Sequence, residues 1–82
     1  MPYIHKARRM VFDTIVRDID RWIDRPGDLN YILFAYAKRH IEPSYENYRN
    51  FIGELNECIA EVRRRLVSPY EDRKRMDNGD VE

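Results

Sequence analysis

An 82-residue chain with one cysteine, three glycines and no long apolar run is defined first by what those shortages exclude. Cys58 has no second cysteine to pair with, and His5 and His40 lie far from it and from each other in sequence. An internal disulfide is thereby ruled out, and no zinc or haem spacing is present. There is no glycine-rich phosphate loop, no dinucleotide fingerprint, and no Ser or Cys in a nucleophile setting. The chain is therefore expected to be non-enzymatic, with no catalytic residue, no resident metal and no cofactor. No apolar stretch approaches bilayer length, and Met1-Pro2-Tyr3-Ile4-His5-Lys6 lacks the apolar core of a signal peptide, so a cytoplasmic location without membrane attachment is expected. Fifteen bases balance fifteen acids, which argues against bulk electrostatic gripping of nucleic acid.

What is present is an apolar content of 43%, spaced at helical period, enough to make a folded chain of all but the last few residues. So short a chain fits one domain over 1–82, and its small core needs help; with disulfide and metal excluded, self-association remains. From Lys6 to Asp24, Met10, Val11, Phe12, Ile15, Val16, Ile19, Trp22 and Ile23 recur at three and four, predicting an amphipathic helix closed by Arg25-Pro26-Gly27. Asp28 offers an N-cap oxygen to a second helix whose face is Leu29, Ile32, Leu33, Tyr36 and His40, ending near Ile41 ahead of Pro43. Ser44 caps a longer third helix reaching Val67. There Tyr48, Ile52, Leu55, Ile59, Val62 and Leu66 alternate at four and three, with Phe51 and Cys58 widening the seam. Cys58 reads as a small buried hydrophobe. Ser68-Pro69-Tyr70-Glu71 has the form of a capping box with Pro at the first helical position, so a fresh, short fourth helix is expected, ending near Asn78-Gly79. The fold class is all-α: three main helices, the third long, plus a C-terminal fourth that folds as a flap over the long helix's seam.

Three side-chain sets could carry chemistry. Glu54, Glu57 and Glu61 share a helix face in the manner of magnesium-binding Glu-x-x-Glu pairs, but no second half of such a site is evident, and Glu61 is spaced to pair with Arg65. Arg63 to Arg65 and Arg73 to Arg75 form two basic clusters suited to phosphate, although arginines in a last helical turn also serve its negative end. Six tyrosines supply flat faces; Tyr36 and Tyr48 fall on core seams, while Tyr3, Tyr31 and Tyr70 are open to a role, as is Asn30 with its paired donor and acceptor.

Several words in the chain, taken together, resemble a family of short proteins of unknown function associated with phages and prokaryotes. They are Met1-Pro2-Tyr3-Ile4, Gly27-Asp28-Leu29-Asn30-Tyr31, Tyr48 and Gly53, Glu61 before the arginines, Pro69-Tyr70-Glu71-Asp72 with Lys74, and Asn78-Gly79-Asp80-Val81. The chain departs from that pattern at Asp28, where the family favours Glu, and at Arg63, where it favours an aromatic. The resemblance implies a self-contained helical protein and no established activity. Small phage helical proteins with polar and aromatic motifs are similar in kind to oligomeric binders that sequester nucleotide signals of host immunity.

The leading expectation is thus a homo-oligomer that sequesters a nucleotide-like anion. Arg64 and Lys74 would meet phosphate, Tyr70 or Tyr31 would stack a base, Asn30 would read its edge, and Tyr3 is a further ligand-binding candidate. The oligomer interface is expected along Tyr48, Phe51, Ile52, Leu55, Ile59, Val62 and Leu66. The alternative is a protein-interaction module for a host or phage partner, and the third reading is a metal-dependent nucleotide pyrophosphatase.

Overall fold

The computed structural model describes residues 4–79 and, among them, holds helices and connecting turns with no strand. They belong to two compact units, residues 4–44 and residues 45–79.

The first unit contains α1 (Lys6–Trp22) and α2 (Asp28–His40). Lys6, Arg8 and Arg9 crowd the N-terminal turn of α1, no acid lies there and no side chain caps it, so the turn opposes the helix dipole. Its amphipathic stripe is what favours helix. α1 ends at Trp22, two residues before the expected Asp24, and the cause is Asp28. The Asp28 carboxylate accepts the backbone N–H groups of Asp24 (2.9 Å) and Arg25 (2.8 Å), donors that a continuing helix would have sent to its own carbonyls. Asp28 therefore closes the α1–α2 turn instead of capping α2, and those two backbone hydrogen bonds hold its carboxyl below the ordinary range against a smaller opposing effect of desolvation. Gly27 occupies the position before α2 with φ +96°, a left-handed conformation that a side chain would strain. Lys38, Arg39 and His40 lie in the last turn of α2, where positive charge suits the helix dipole.

The second unit is one helix. α3 (Tyr45–Val62) begins directly after Ser44 and passes through a π-helical turn, Arg63–Val67, into α4 (Ser68–Asn78). Val67 (φ −69°, ψ −51°) and Ser68 (φ −61°, ψ −47°) are both right-handed helical, and Ser68 donates its N–H to the Arg63 carbonyl, five residues back. The expected restart at Ser68 is absent, since no side-chain cap is made there, and α4 does not fold back as a flap on α3. Pro69 explains the wide turn. In an α-helix its ring would collide with the Arg65 carbonyl and could not donate to it, whereas a π-turn moves that carbonyl away. Proline thus widens this helix without ending it. From Tyr45 to Asn78 the rod is roughly 50 Å long at 1.5 Å per residue. Gly79 (φ +81°) terminates it as expected.

No described residue is buried. Ile19, Ile23, Leu33, Ala35, Ala37, Ile41, Phe51 and Leu55 are half-buried, and the other apolar side chains are exposed. Cys58, expected inside, is exposed, and Tyr36 and Tyr48 lie on no core.

Two substitutions test the rod. A Cβ at Gly53 would meet nothing within 4 Å, so Gly53→Ala should stabilise the helix by about 0.5–1 kcal/mol in thermal or denaturant melts. Pro69→Ala should close the π-turn to α spacing, seen as slower amide hydrogen exchange at Ser68 and Tyr70; unchanged exchange would assign the wide turn another cause.

Candidate functional site

The densest polar arrangement lies across the π-turn. Glu61 receives hydrogen bonds from Arg64 at i+3 and from Arg65 at i+4, the latter at 3.4 Å. Its side chain is only 12% exposed, against 71% and 69% for the two arginines, so the acid is the covered centre and the guanidinium groups form its lid. Desolvation pulls the Glu61 carboxyl upward, but the charges and hydrogen bonds of Arg64 and Arg65 outweigh it and hold the carboxyl below its usual range. Arg63 to Arg65 do not sit at a helix end, because the helix continues through them; Glu61 accounts for two of the three.

One turn beyond Pro69, Lys74 places its Nζ 5.7 Å from the centre of the Tyr70 ring, a cation on an aromatic face at i+4. Arg75 pairs with Asp72 at 2.9 Å, and these two, with Met76 and Gly79, line a shallow hollow open to solvent. Of the residues expected to bind an anion, the second unit therefore joins Tyr70 to Lys74, while Arg64 is engaged by Glu61. In the first unit, Asn30 and Tyr31 are exposed neighbours on α2, and the Tyr31 hydroxyl accepts a hydrogen bond from Arg39 at 3.2 Å. Tyr3 lies outside the described residues.

Among the described residues no three His, Cys, Asp or Glu side chains converge as a metal would need. Glu54 and Glu57 share the rod with Glu61, but Glu61 is spent on the arginines. No helix is long and apolar enough to cross a membrane.

The expected interface residues are accessible. Tyr48, Ile52, Ile59, Val62 and Leu66 are exposed along the rod, and Phe51 and Leu55 are half-buried. A second apolar surface was not anticipated: Met10, Val11, Ile15, Val16 and Trp22 of α1 are 52 to 71% exposed. The signal for it was available in the eight apolar residues of that helix, too many for a thin partner helix to cover.

A family model described as "Domain of unknown function (DUF6899)" matches residues 1–81, and the chain belongs to that family. No curated protein and no solved structure matches it.

The Glu61 cluster carries a pH signature. A depressed folded-state value means that its contribution is complete above the ordinary carboxylate range and disappears as pH falls through the folded value. The NMR titration midpoint of Glu61 should lie below that of a free glutamate. In Arg64→Ala/Arg65→Ala it should return to that value or rise above it, because only desolvation remains.

Proposed function

We propose that this family member is a helical assembly module without catalytic activity, whose apolar helix faces are completed by another protein chain. The observation that carries the reading is that no described residue is buried in a chain made almost wholly of helix. Ordering a residue costs about 1–2 kcal/mol in backbone entropy, and burial of apolar surface is the main term that offsets it. Helix formation by itself offsets little, since even favourable isolated helices are marginal in water. We read the exposed faces of α1 and of the rod as surfaces that another chain covers.

Sequestration of a nucleotide-like anion, with the phage setting that the resemblance suggests, becomes the second reading. What supports it is Arg63 and Arg73, which make no ion pair among the described residues; Arg73 lies between Tyr70 and Lys74 in sequence, and Arg63 lies seven residues before Tyr70. It ranks behind assembly because a phosphate on Arg64 has to displace Glu61, and a base on Tyr70 has to displace Lys74. Hydrolysis ranks third, because no group of acids among the described residues supports it.

Circular dichroism over a dilution series tests the leading reading. Helical signal should fall as the purified chain is diluted, or be low throughout and rise only with a partner. A chain that stays fully helical, monomeric and cooperatively melting at nanomolar concentration overturns it. Native mass spectrometry of the same preparation separates the second reading, since a retained nucleotide on each subunit would put ligand binding first.

A further inference from the structure

The rod Tyr45–Asn78 has the pattern of a helix made to lie against another helix. Between Tyr48 and Leu66 the apolar positions alternate at four and three, the repeat that keeps one stripe facing a partner helix along a left-handed supercoil. In that repeat Ile52, Ile59 and Leu66 take one set of core positions and Tyr48, Leu55 and Val62 the other. The central trio Ile52, Leu55 and Ile59 sets β-branched residues against leucine in the order that favours two parallel strands.

Beyond Leu66 an α-helical stripe would next meet Pro69, which has little to pack. The π-turn Arg63–Val67 adds the equivalent of one residue to the helix at this point. The stripe then falls on Tyr70, four residues after Leu66. Proline's steric demand thus doubles as a register correction, carrying the apolar seam from α3 into α4.

We propose that the occupant of this seam is a second copy of the same chain, its rod parallel and in register, forming a two-stranded interface from Tyr48 to Tyr70. This rests on the assembly reading and names its partner. Charge favours the arrangement. In parallel register the residues flanking the seam meet without like charges: Phe51 faces Asn56 of the second copy, Cys58 faces Arg63, and past the π-turn Arg65 faces Glu71. An antiparallel pairing of the Tyr48–Leu66 seam, with Tyr48 opposite Leu66 of the second copy, sets Arg49 against Arg63. The area is also adequate. Tyr48, Ile52, Ile59, Val62, Leu66 and Tyr70 are 40 to 63% exposed. Covering them, with Leu55, removes roughly 500 Å² per rod, or about 1,000 Å² in total, where specific interfaces begin.

The test uses the full chain. Sedimentation equilibrium should give twice the 10.0 kDa subunit mass. Tyr70→Asp should weaken the dimer at least tenfold, although Tyr70 lies beyond the proline, while Glu57→Ala on the outer face should leave it unchanged. Orientation is read with a spin label at residue 78 in Asn78→Cys/Cys58→Ser. Parallel rods, each about 10–12 Å across, hold the two labels within about 30 Å, whereas the antiparallel pairing separates them by about 60 Å. A trimer, the long distance, or a Tyr70→Asp protein that dimerises as wild type overturns the proposal. So does a chain that does not self-associate; if that chain is also unfolded when alone, the assembly reading survives, and if it is a helical monomer, both fail.

Discussion

Apolar burial is the constraint on which everything else in this protein depends, and it is unmet within the described chain. Helical hydrogen bonds satisfy the backbone, but in water they replace bonds to solvent and add only modest net stability. The Asp28 turn, the Glu61 cluster and the paired charges of α4 are local devices, each within five residues of sequence. They specify where helices begin, widen and end. Opposing the entropy of some seventy ordered residues is beyond them. Under the proposed assembly that task would fall to the exposed faces, and folding and association would be one process.

Within the rod, the region around Pro69 shows how local sterics and long-range packing can agree. A proline inside a helix usually kinks or ends it. Here the three arginines precede it, two of them folded over Glu61, and the turn opens to π geometry without leaving helical backbone angles. Because the arginine heads are engaged one turn back along the helix, their long side chains lie along its surface and cover the acid. The same segment therefore satisfies a charge cluster, accommodates proline and preserves the apolar line.

Much of the fold was legible in the sequence because the relevant signals are local. The period of α1, the Gly27 turn, the stop before Pro43 and the Gly79 terminator each act within a few residues, and the family match agrees with the expected membership in a family of unknown function. The misreadings arose where a side chain had two uses. Asp28 could cap α2 or close the turn before it, and two available amides at Asp24 and Arg25 decided the matter. Ser68-Pro69-Tyr70-Glu71 matches a helix start, but the strong helix-forming run before it, Ile59 to Val67, favours continuation through a widened turn. Cys58 is expected inside because seam-adjacent residues are usually covered, and in the structure it is exposed. For the candidate site, Tyr70 and Lys74 are expected as separate ligand contacts and the structure joins them at i+4, whereas the engagement of Arg64 by Glu61 competes with the phosphate role expected of it.

Charge balance gives the final constraint on what the exposed faces can meet. With net charge zero, two copies approach without the long-range repulsion that keeps strongly charged proteins apart, and a polyanion gains no long-range attraction. The charges nevertheless are not scattered: acids dominate α3, three bases occupy the π-turn, and α4 alternates acid and base blocks. Such blocks distinguish one alignment from another at short range, where screening over about 8 Å in physiological salt still leaves neighbouring charges in contact. In the proposed dimer, apolar surface would supply the drive to associate and the charge pattern would select the register. A rod with the seam but scattered charges would still stick to partners, yet would have little means of choosing among them.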